Sequence, residues 1–252
     1  MLHARVIPCL LLRNGGLVKT VKFSNARYIG DPINAVRIFN DKEVDELVFL
    51  DIGERTATTG PNFALLADIA SEAFMPFGYG GGITHIDQIQ RLYALGIEKI
   101  ILNTAAADSP ELISAAATVA GCSGVVVSMD VRRNWLGRYS VWVQSGRRDL
   151  KRDPVAYACE MEARGAGEIL LNVIDRDGMM QGYDLDIVRR VADAVMVPVV
   201  AAGGAGDLQH LRAAIDCGAS AVAAGSLFVF HGKHRAVLIT YPEYDTLEKL
   251  FS

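Results

Sequence analysis

Residues 198–206 are Pro-Val-Val-Ala-Ala-Gly-Gly-Ala-Gly, a short apolar run that ends in a cluster of glycines. Continuous rather than alternating hydrophobicity is typical of a parallel strand that is buried on both faces. The glycines indicate a tight turn after that strand, where the backbone can approach a ligand closely. The stretch therefore predicts one strand-and-turn unit of an α/β fold.

The same pattern occurs seven more times along the 252-residue chain. The other predicted strands are Val6–Leu12, Glu46–Ile52, Met75–Tyr79, Lys99–Asn103, Gly124–Asp130, Glu168–Ile174 and Ala219–Ala224. Eight such strands, each followed by a helical pattern, predict a (β/α)8 (TIM) barrel, for which about 250 residues is typical. Because no linker or charge block divides the sequence, we expect one barrel domain over residues 1–252.

The two halves of the sequence resemble each other at the ends of matching strands. Gly80-Gly81-Gly82-Ile83 corresponds to Gly203-Gly204-Ala205-Gly206, and Asn103-Thr104-Ala105-Ala106 corresponds in place to Ala224-Gly225-Ser226-Leu227. Glycine turns before helix starts direct free N–H groups at an anion. The pattern therefore predicts two similar half-barrels with one phosphate-binding turn in each.

Composition and charge exclude several other classes of protein. A net charge of −4 gives no electrostatic reason to expect nucleic acid or an anionic membrane surface as a partner. The apolar run Val6–Leu12 is too short to span a membrane, and no signal peptide is expected. None of the four cysteines forms a C-x-x-C pair, and His231 and His234 lack convincing metal-ligand spacing. We therefore expect a cytoplasmic protein with no metal and no cofactor.

Eight stretches together resemble the cyclase subunit of imidazole glycerol phosphate synthase, in the same order and over almost the entire chain. They are residues 5–9, 30–32, 45–52, 80–83, 103–106, 165–168, 174–178 and 203–206. Members of that family are (β/α)8 barrels that dock a class I glutaminase at the N-terminal face of the barrel. The resemblance implies that ammonia passes through the barrel and meets a ligand with a phosphate at each end.

The resemblance also assigns candidate site residues. Four residues at strand starts correspond to the charged ring through which ammonia enters: Arg5, Glu46, Lys99 and Glu168. Residues at strand ends and in the following loops correspond to the phosphate and ligand site: Lys19, Asp51, Gly81, Gly82, Asn103, Thr104, Asp177, Gly178, Gly204, Gly225 and Ser226.

Two acids at the ends of strands one and five normally move protons in that family. Asp130, at the end of the fifth predicted strand, matches the second acid. The first acid is missing, because its position is occupied by Leu11, which can neither accept nor donate a proton. Asp51 and Asp177 could replace it, although both match other positions of the family pattern. Independent catalysis by this subunit is therefore an open question.

The sequence also departs from the histidine-pathway enzyme in Cys9-Leu-Leu-Leu12 and in residues 228–242. Both resemble a paralogous branch found with surface-polysaccharide genes. That branch implies delivery of ammonia for amidination of an acetamido sugar, with a third protein performing the sugar chemistry. Two alternatives remain: the authentic cyclase of histidine biosynthesis, and a non-catalytic ammonia conduit or scaffold that regulates the glutaminase. An isomerase of the sister histidine-pathway family is disfavoured, because it too would need an acid at the end of strand one.

Overall fold

A computed structural model describes residues 4–252. In chain order the strands are β1 (Arg5–Arg13), β2 (Gly16–Val21), β3 (Ser24–Gly30), β4 (Leu47–Asp51), β5 (Phe77–Gly80), β6 (Lys99–Leu102), β7 (Val125–Arg133), β8 (Tyr139–Val143), β9 (Arg148–Asp149), β10 (Glu168–Val173), β11 (Val199–Ala202), β12 (Ala221–Ala224), β13 (Phe230–His231) and β14 (Ala236–Val237). The helices are α1 (Pro32–Asp41), α2 (Glu54–Thr59), α3 (Phe63–Glu72), α4 (Ile86–Ala94), α5 (Thr104–Asp108), α6 (Glu111–Ala120), α7 (Pro154–Ala163), α8 (Leu185–Ala192), α9 (Leu208–Asp216), α10 (Ser226–Val229) and α11 (Tyr244–Phe251). No helix within residues 4–252 is long and apolar enough to cross a membrane.

Eight parallel strands close into a barrel in the order β1, β4, β5, β6, β7, β10, β11 and β12. The circle is complete because β12 pairs with β1 and β10 pairs with both β7 and β11. Helices follow the strands around the outside, so the predicted (β/α)8 barrel is confirmed. The predicted boundaries agree within two residues, except that β7 continues to Arg133.

Two antiparallel hairpins extend the barrel beyond its carboxyl end. β2 pairs with β1 from Leu11 onward and with β3, whereas β8 pairs with β7 from Asp130 onward and with β9. The prediction that Asp130 closes its strand was wrong, because β7 continues to Arg133. After strands one and five the residues before the predicted helix form a hairpin. The hairpins supply hydrogen-bond partners to backbone groups above the barrel rim, so both barrel strands continue.

The same construction begins the first helix of each half. Asp31 caps α1 by accepting a hydrogen bond from the backbone N–H of Asn34 at 3.0 Å. Asp153 caps α7 by accepting from Val155 at 3.0 Å. A proline follows each capping residue, and it suits the first helical position because no N–H partner is needed there. The halves therefore share a strand, a hairpin and an Asp-Pro helix start.

The apolar side chains form an outer and an inner core. The outer core lies between strands and helices and contains most of the buried aromatic residues. The inner core fills the barrel with Ile7, Val48, Ile101, Val126, Leu170, Val200, Ala202, Ala221 and Ala223. It separates a charged group at the strand starts from a polar cavity at the strand ends, and these two features define the candidate site.

Candidate functional site

A cavity of about 670 Å³ opens at the carboxyl ends of the barrel strands. The structure brings all of the predicted ligand-site and acid positions to its wall: Leu11, Lys19, Asp51, Gly81, Gly82, Asn103, Thr104, Asp130, Asp177, Gly178, Gly204, Gly225 and Ser226. Parallel strands in a barrel end on the same face, so residues far apart in sequence converge there.

Asp130 is a buried carboxyl group on β7 that faces the cavity. Its Oδ2 accepts a hydrogen bond from Asn103 Nδ2 at 3.2 Å, and its Oδ1 is 3.5 Å from Asn172 Nδ2. Burial and the nearby charge of Asp177 raise the pKa of Asp130 to about 7, although the two amide contacts oppose the shift. A carboxyl group with this pKa can gain or lose a proton near neutral pH, as a general acid or base must.

Leu11 faces the cavity on β1, directly across the barrel from Asp130 on β7. It pairs with Val18 of β2 and with Leu50 of β4 and is 9% exposed. Its paired residues on both neighbouring strands are therefore apolar, and the Leu11 side chain itself supplies no proton-transfer group to the cavity.

The two carboxylates that could replace the missing acid already have hydrogen-bond partners. Asp51 accepts from Gly53 N at 2.9 Å and from Thr56 Oγ1 at 2.8 Å. Burial raises its pKa despite these two bonds. Asp177 forms an ion pair with Lys19 at 2.9 Å and accepts from Thr20 Oγ1 at 2.8 Å. Each carboxylate thus anchors a loop at the rim of the cavity.

The glycine turns after β5 and β11 are built alike. Gly81 has φ +135° and Gly204 has φ +128°, values that favour glycine. A Cβ at Gly81 would lie 2.5 Å from the carbonyl oxygen of Asp51, and one at Gly204 would lie 2.2 Å from that of Gly182. Any side chain would therefore collide with backbone, so both positions require glycine, and both line the cavity.

Short helices begin beside these turns. Thr104 starts α5 and Ser226 starts α10, after Asn103 and Gly225 respectively. Ser226 is 4% exposed, and its Oγ has no hydrogen-bond partner within residues 4–252. A buried hydroxyl without a partner is costly, so its position on the cavity wall suits a ligand oxygen.

A ring of four charged side chains lies at the opposite end of the barrel. Arg5 contacts both Glu46 and Glu168, the latter at 3.1 Å. Lys99 contacts Glu46 at 2.9 Å and Glu168 at 2.7 Å. Each carboxylate therefore meets both cations, and the charges neutralise one another. The glutamates are 4% and 5% exposed, which makes the ring a plug across the barrel end.

Among residues 4–252, the side chains that lie between this ring and the cavity are apolar or small. The inner core follows the ring, and Cys9 and Leu50 pack against that core at the floor of the cavity. Burial raises the pKa of Cys9 to about 12, so this thiol stays protonated and neutral. The interior therefore offers a neutral environment from the ring to the cavity.

Sequence reasoning missed several residues of the cavity wall. Asn172 contacts Asp130. The sequence could have indicated it, because Asn172 is a polar residue within the apolar strand Glu168–Val173. It follows Glu168 and Leu170 at intervals of two residues and so faces the barrel interior as they do. Arg147 lies in the turn between β8 and β9. The hairpin brings this turn to the cavity, and no hairpin was predicted between strand five and its helix.

These features define a class: a (β/α)8 barrel with a ligand cavity at the carboxyl ends of its strands and a closed charge ring at the other end. The sequence matches the family described as "Histidine biosynthesis protein" over residues 5–235. The chain belongs to this family, and its relatives make it a member of the HisF type.

Three full-length relatives carry closely similar titles. "Putative imidazole glycerol phosphate synthase subunit hisF2" of Pseudomonas aeruginosa is 51% identical, covering 98% of this chain and 99% of its own. "Putative imidazole glycerol phosphate synthase subunit HisF" of Leptospira interrogans is 47% identical over the whole of both chains. The Vibrio vulnificus relative, ending in hisF3, is 44% identical over 99% of this chain and 96% of its own.

Proposed function

We propose that this chain is the HisF-like subunit of a glutamine-dependent synthase and receives ammonia from a glutaminase through its barrel. The observation that carries the proposal is the arrangement of the charge ring and the cavity at opposite ends of one apolar interior. The relatives' titles, which name imidazole glycerol phosphate synthase subunits, support the same class of enzyme.

The charge ring suits an entrance for a neutral molecule. Mutually paired charges exclude free ions, whereas opening one ion pair would admit ammonia without moving a strand. Lys99 is better suited than Arg5 to move aside. Its flexible side chain ends in a single ammonium group, whereas the planar guanidinium of Arg5 is held between two carboxylates. Beyond the ring, apolar walls favour ammonia over ammonium because burying an unpaired charge is costly.

The cavity suits a ligand with phosphate groups near both glycine turns. In this proposal one phosphate lies at Gly81, Gly82, Asn103 and Thr104, and the other at Gly178, Gly204, Gly225 and Ser226. Lys19 and the residues of the second phosphate site line the same cavity. Once its ion pair with Asp177 opens, Lys19 would donate to the second phosphate or to ligand atoms beside that phosphate. Asp51 and Asp177 would keep the rim loops in place.

Leu11 determines which reaction we propose. Asp130 can transfer a proton on one side of a bound intermediate, but cyclisation in the histidine pathway uses an acid on each side. We therefore infer that the delivered ammonia serves amidination of an acetamido sugar in surface-polysaccharide (O-antigen) biosynthesis, with a third protein performing the sugar chemistry. The subunit would then hold its phosphorylated ligand without cyclising it.

The second candidate is the authentic histidine-pathway cyclase. Asp130 favours this candidate, because one acid of the expected pair is present and its pKa of about 7 allows proton transfer near neutral pH. This candidate needs another group opposite Asp130 at the level of Leu11, where the neighbouring strand residues are apolar.

Reconstitution with labelled glutamine tests the proposal. The chain, the glutaminase encoded with it and the sugar-amidinating protein are mixed with an acetamido sugar, a nucleoside triphosphate that activates the acetamido oxygen as a leaving group, and glutamine carrying heavy nitrogen in its side-chain amide. We expect the label in the product amidine, and we expect no label when this chain is omitted. Cyclised imidazole product from the histidine-pathway intermediate would instead establish the second candidate. Stimulated glutamine hydrolysis with no labelled product of either kind would indicate a conduit or scaffold.

A further inference from the structure

Three segments at the cavity end of the barrel concentrate the positive charge of the molecule. They are residues 13–30, 131–152 and 230–240, hereafter the hairpin crown. The crown holds 13 of the chain's 25 lysines and arginines but only one of its 29 aspartates and glutamates. The remaining residues carry 12 basic and 28 acidic side chains. A chain with a small negative net charge therefore has a strongly basic face.

The three segments form one surface around the cavity mouth. Each begins at or beyond the carboxyl end of a barrel strand: β1, β7 or β12. Arg27 of the first segment donates to the Arg235 carbonyl at 3.1 Å and lies over the ring of Phe230 in the third. Phe23 packs on the turn of the second segment, where a Cβ at Gly146 would lie 3.1 Å from its ring.

Most of these cations form no ion pair with a carboxylate within residues 4–252. Lys19, Arg132, Arg148 and Arg152 pair with carboxylates. Nine others form no ion pair within residues 4–252: Arg13, Lys22, Arg27, Arg133, Arg138, Arg147, Lys151, Lys233 and Arg235. Unpaired cations on one face attract an acidic partner and accelerate its association.

An apolar tip projects from this basic face. Trp135 is 91% exposed and Leu136 is 59% exposed, at the turn between β7 and β8. The turn is nevertheless well defined, because the Asn134 side chain accepts from Leu136 N at 3.0 Å and from Arg138 N at 2.9 Å. Arg133 fixes the other side by donating to Gly137 O at 3.1 Å. An exposed tryptophan on a hydrogen-bonded turn, beside arginines, has the composition of an interface hot spot.

We propose that the hairpin crown is a docking surface for a second protein, whose acidic surface carries an apolar recess for Trp135 and Leu136. A small phosphorylated ligand does not account for this tip, because Trp135, Leu136 and Arg138 do not line the cavity. The proposed partner is not the glutaminase. In the proposed function the glutaminase docks at the charge ring, which lies at the opposite end of the barrel. Docking here places the partner over the exit of the proposed ammonia route.

The identity of the partner rests on the proposed function, which supplies the sugar-amidinating protein as the probe. Its binding to the complete subunit with bound glutaminase is measured directly by titration, separately from amidination. Hydrogen exchange of the subunit then locates the contact. Trp135→Ser and Arg138→Glu are the test variants. Phe74→Ser is the matched control, since Phe74 is an 88% exposed aromatic residue preceding β5 at the other end of the barrel.

We expect protection of residues 131–138 and 230–237, and affinity that falls as salt increases. Trp135→Ser and Arg138→Glu should each weaken binding at least about 10-fold, whereas Phe74→Ser should not. Absence of binding, equal affinity of all three variants, or protection confined to the opposite face would overturn the proposal. So would crown protection by inorganic pyrophosphate alone, with no effect of the protein. Amidination that proceeds normally in Trp135→Ser and Arg138→Glu would defeat this inference while leaving the proposed function intact.

Discussion

Leu11 and Asp130 occupy equivalent positions on diametrically opposite strands of the barrel. Each is the first residue of its strand to pair with the following hairpin, Leu11 with Val18 and Asp130 with Trp142. Both also line the cavity. A molecule built from two similar halves thus carries an acid at this position in one half and a leucine in the other.

This relationship predicts the activity of Leu11→Asp. The wild-type chain, supplied with ammonium salts, should cyclise the histidine-pathway bisphosphate intermediate at a negligible rate, because general acid–base help is worth about 10²–10⁴-fold. Leu11→Asp should restore part of that rate, limited by the different first loop at Asn14-Gly15-Gly16. Cyclised product is measured chromatographically, with Leu11→Asn as the matched polar control. Robust wild-type turnover would show that another residue supplies the proton.

The raised pKa of Asp130 predicts a pH-dependent contribution to stability. Between pH 4 and pH 7 the folded chain keeps a proton that the unfolded chain loses, so this group lowers the free energy of unfolding as pH rises. From the shift to about 7, Asp130→Asn should gain up to about 4 kcal/mol over wild type across that range. Denaturant unfolding at several pH values measures the difference. Asp68→Asn, on an exposed face of α3, should run parallel to wild type.

A difference between Asp130→Asn and wild type that stays constant with pH would contradict this account of Asp130. It would mean that Asp130 is ionised in the folded chain throughout the range.

The unpartnered hydroxyl of Ser226 predicts opposite effects on stability and binding. Ser226→Ala should leave the thermal midpoint unchanged or slightly raised, since it removes a buried polar group that lacks a partner. The same variant should bind inorganic phosphate about 5–10-fold more weakly, which corresponds to one lost hydrogen bond. Calorimetric titration measures the affinity, with Ser71→Ala on α3 as the control. Unchanged phosphate affinity would remove Ser226 from the ligand site.

The charge ring predicts a selective loss in Lys99→Met. Removal of Lys99 leaves Glu46 and Glu168 with Arg5 alone, at a cost of about 3–5 kcal/mol in stability. Without Lys99 the two glutamates carry one uncompensated negative charge, which would hold ammonia as ammonium at the entrance. The ratio of glutamine-dependent to ammonium-dependent synthesis should therefore fall by at least about 10-fold, whereas ammonium added to the medium still reaches the cavity from its open mouth. Lys249→Met, on the exposed side of α11, should keep the wild-type ratio. An equal decrease of both rates would assign Lys99 to structure rather than to ammonia entry.

Much of this site could be predicted because strand ends of a parallel barrel converge by geometry. Apolar runs identified all eight barrel strands, and their end positions brought Asp130, Asn103 and Ser226 to one cavity. The hairpins after β1 and β7 were not predicted, because glycine-rich loops of this kind look alike before their partner strands are known. Arg147 was missed for the same reason, because its turn belongs to the second hairpin. Asn172 was missed although a polar residue in an apolar strand marks it, because its contact with Asp130 joins two strands far apart in sequence.

Association with the glutaminase is the property on which ammonia delivery through this barrel depends. The chain and the glutaminase encoded beside it are mixed and examined by sedimentation velocity, and glutamine hydrolysis is measured with and without the chain. We expect a one-to-one complex and a clear increase in hydrolysis, with a further increase when the cavity ligand is present. Two separate species at all concentrations, with hydrolysis unaffected by the chain, would contradict ammonia delivery through this barrel.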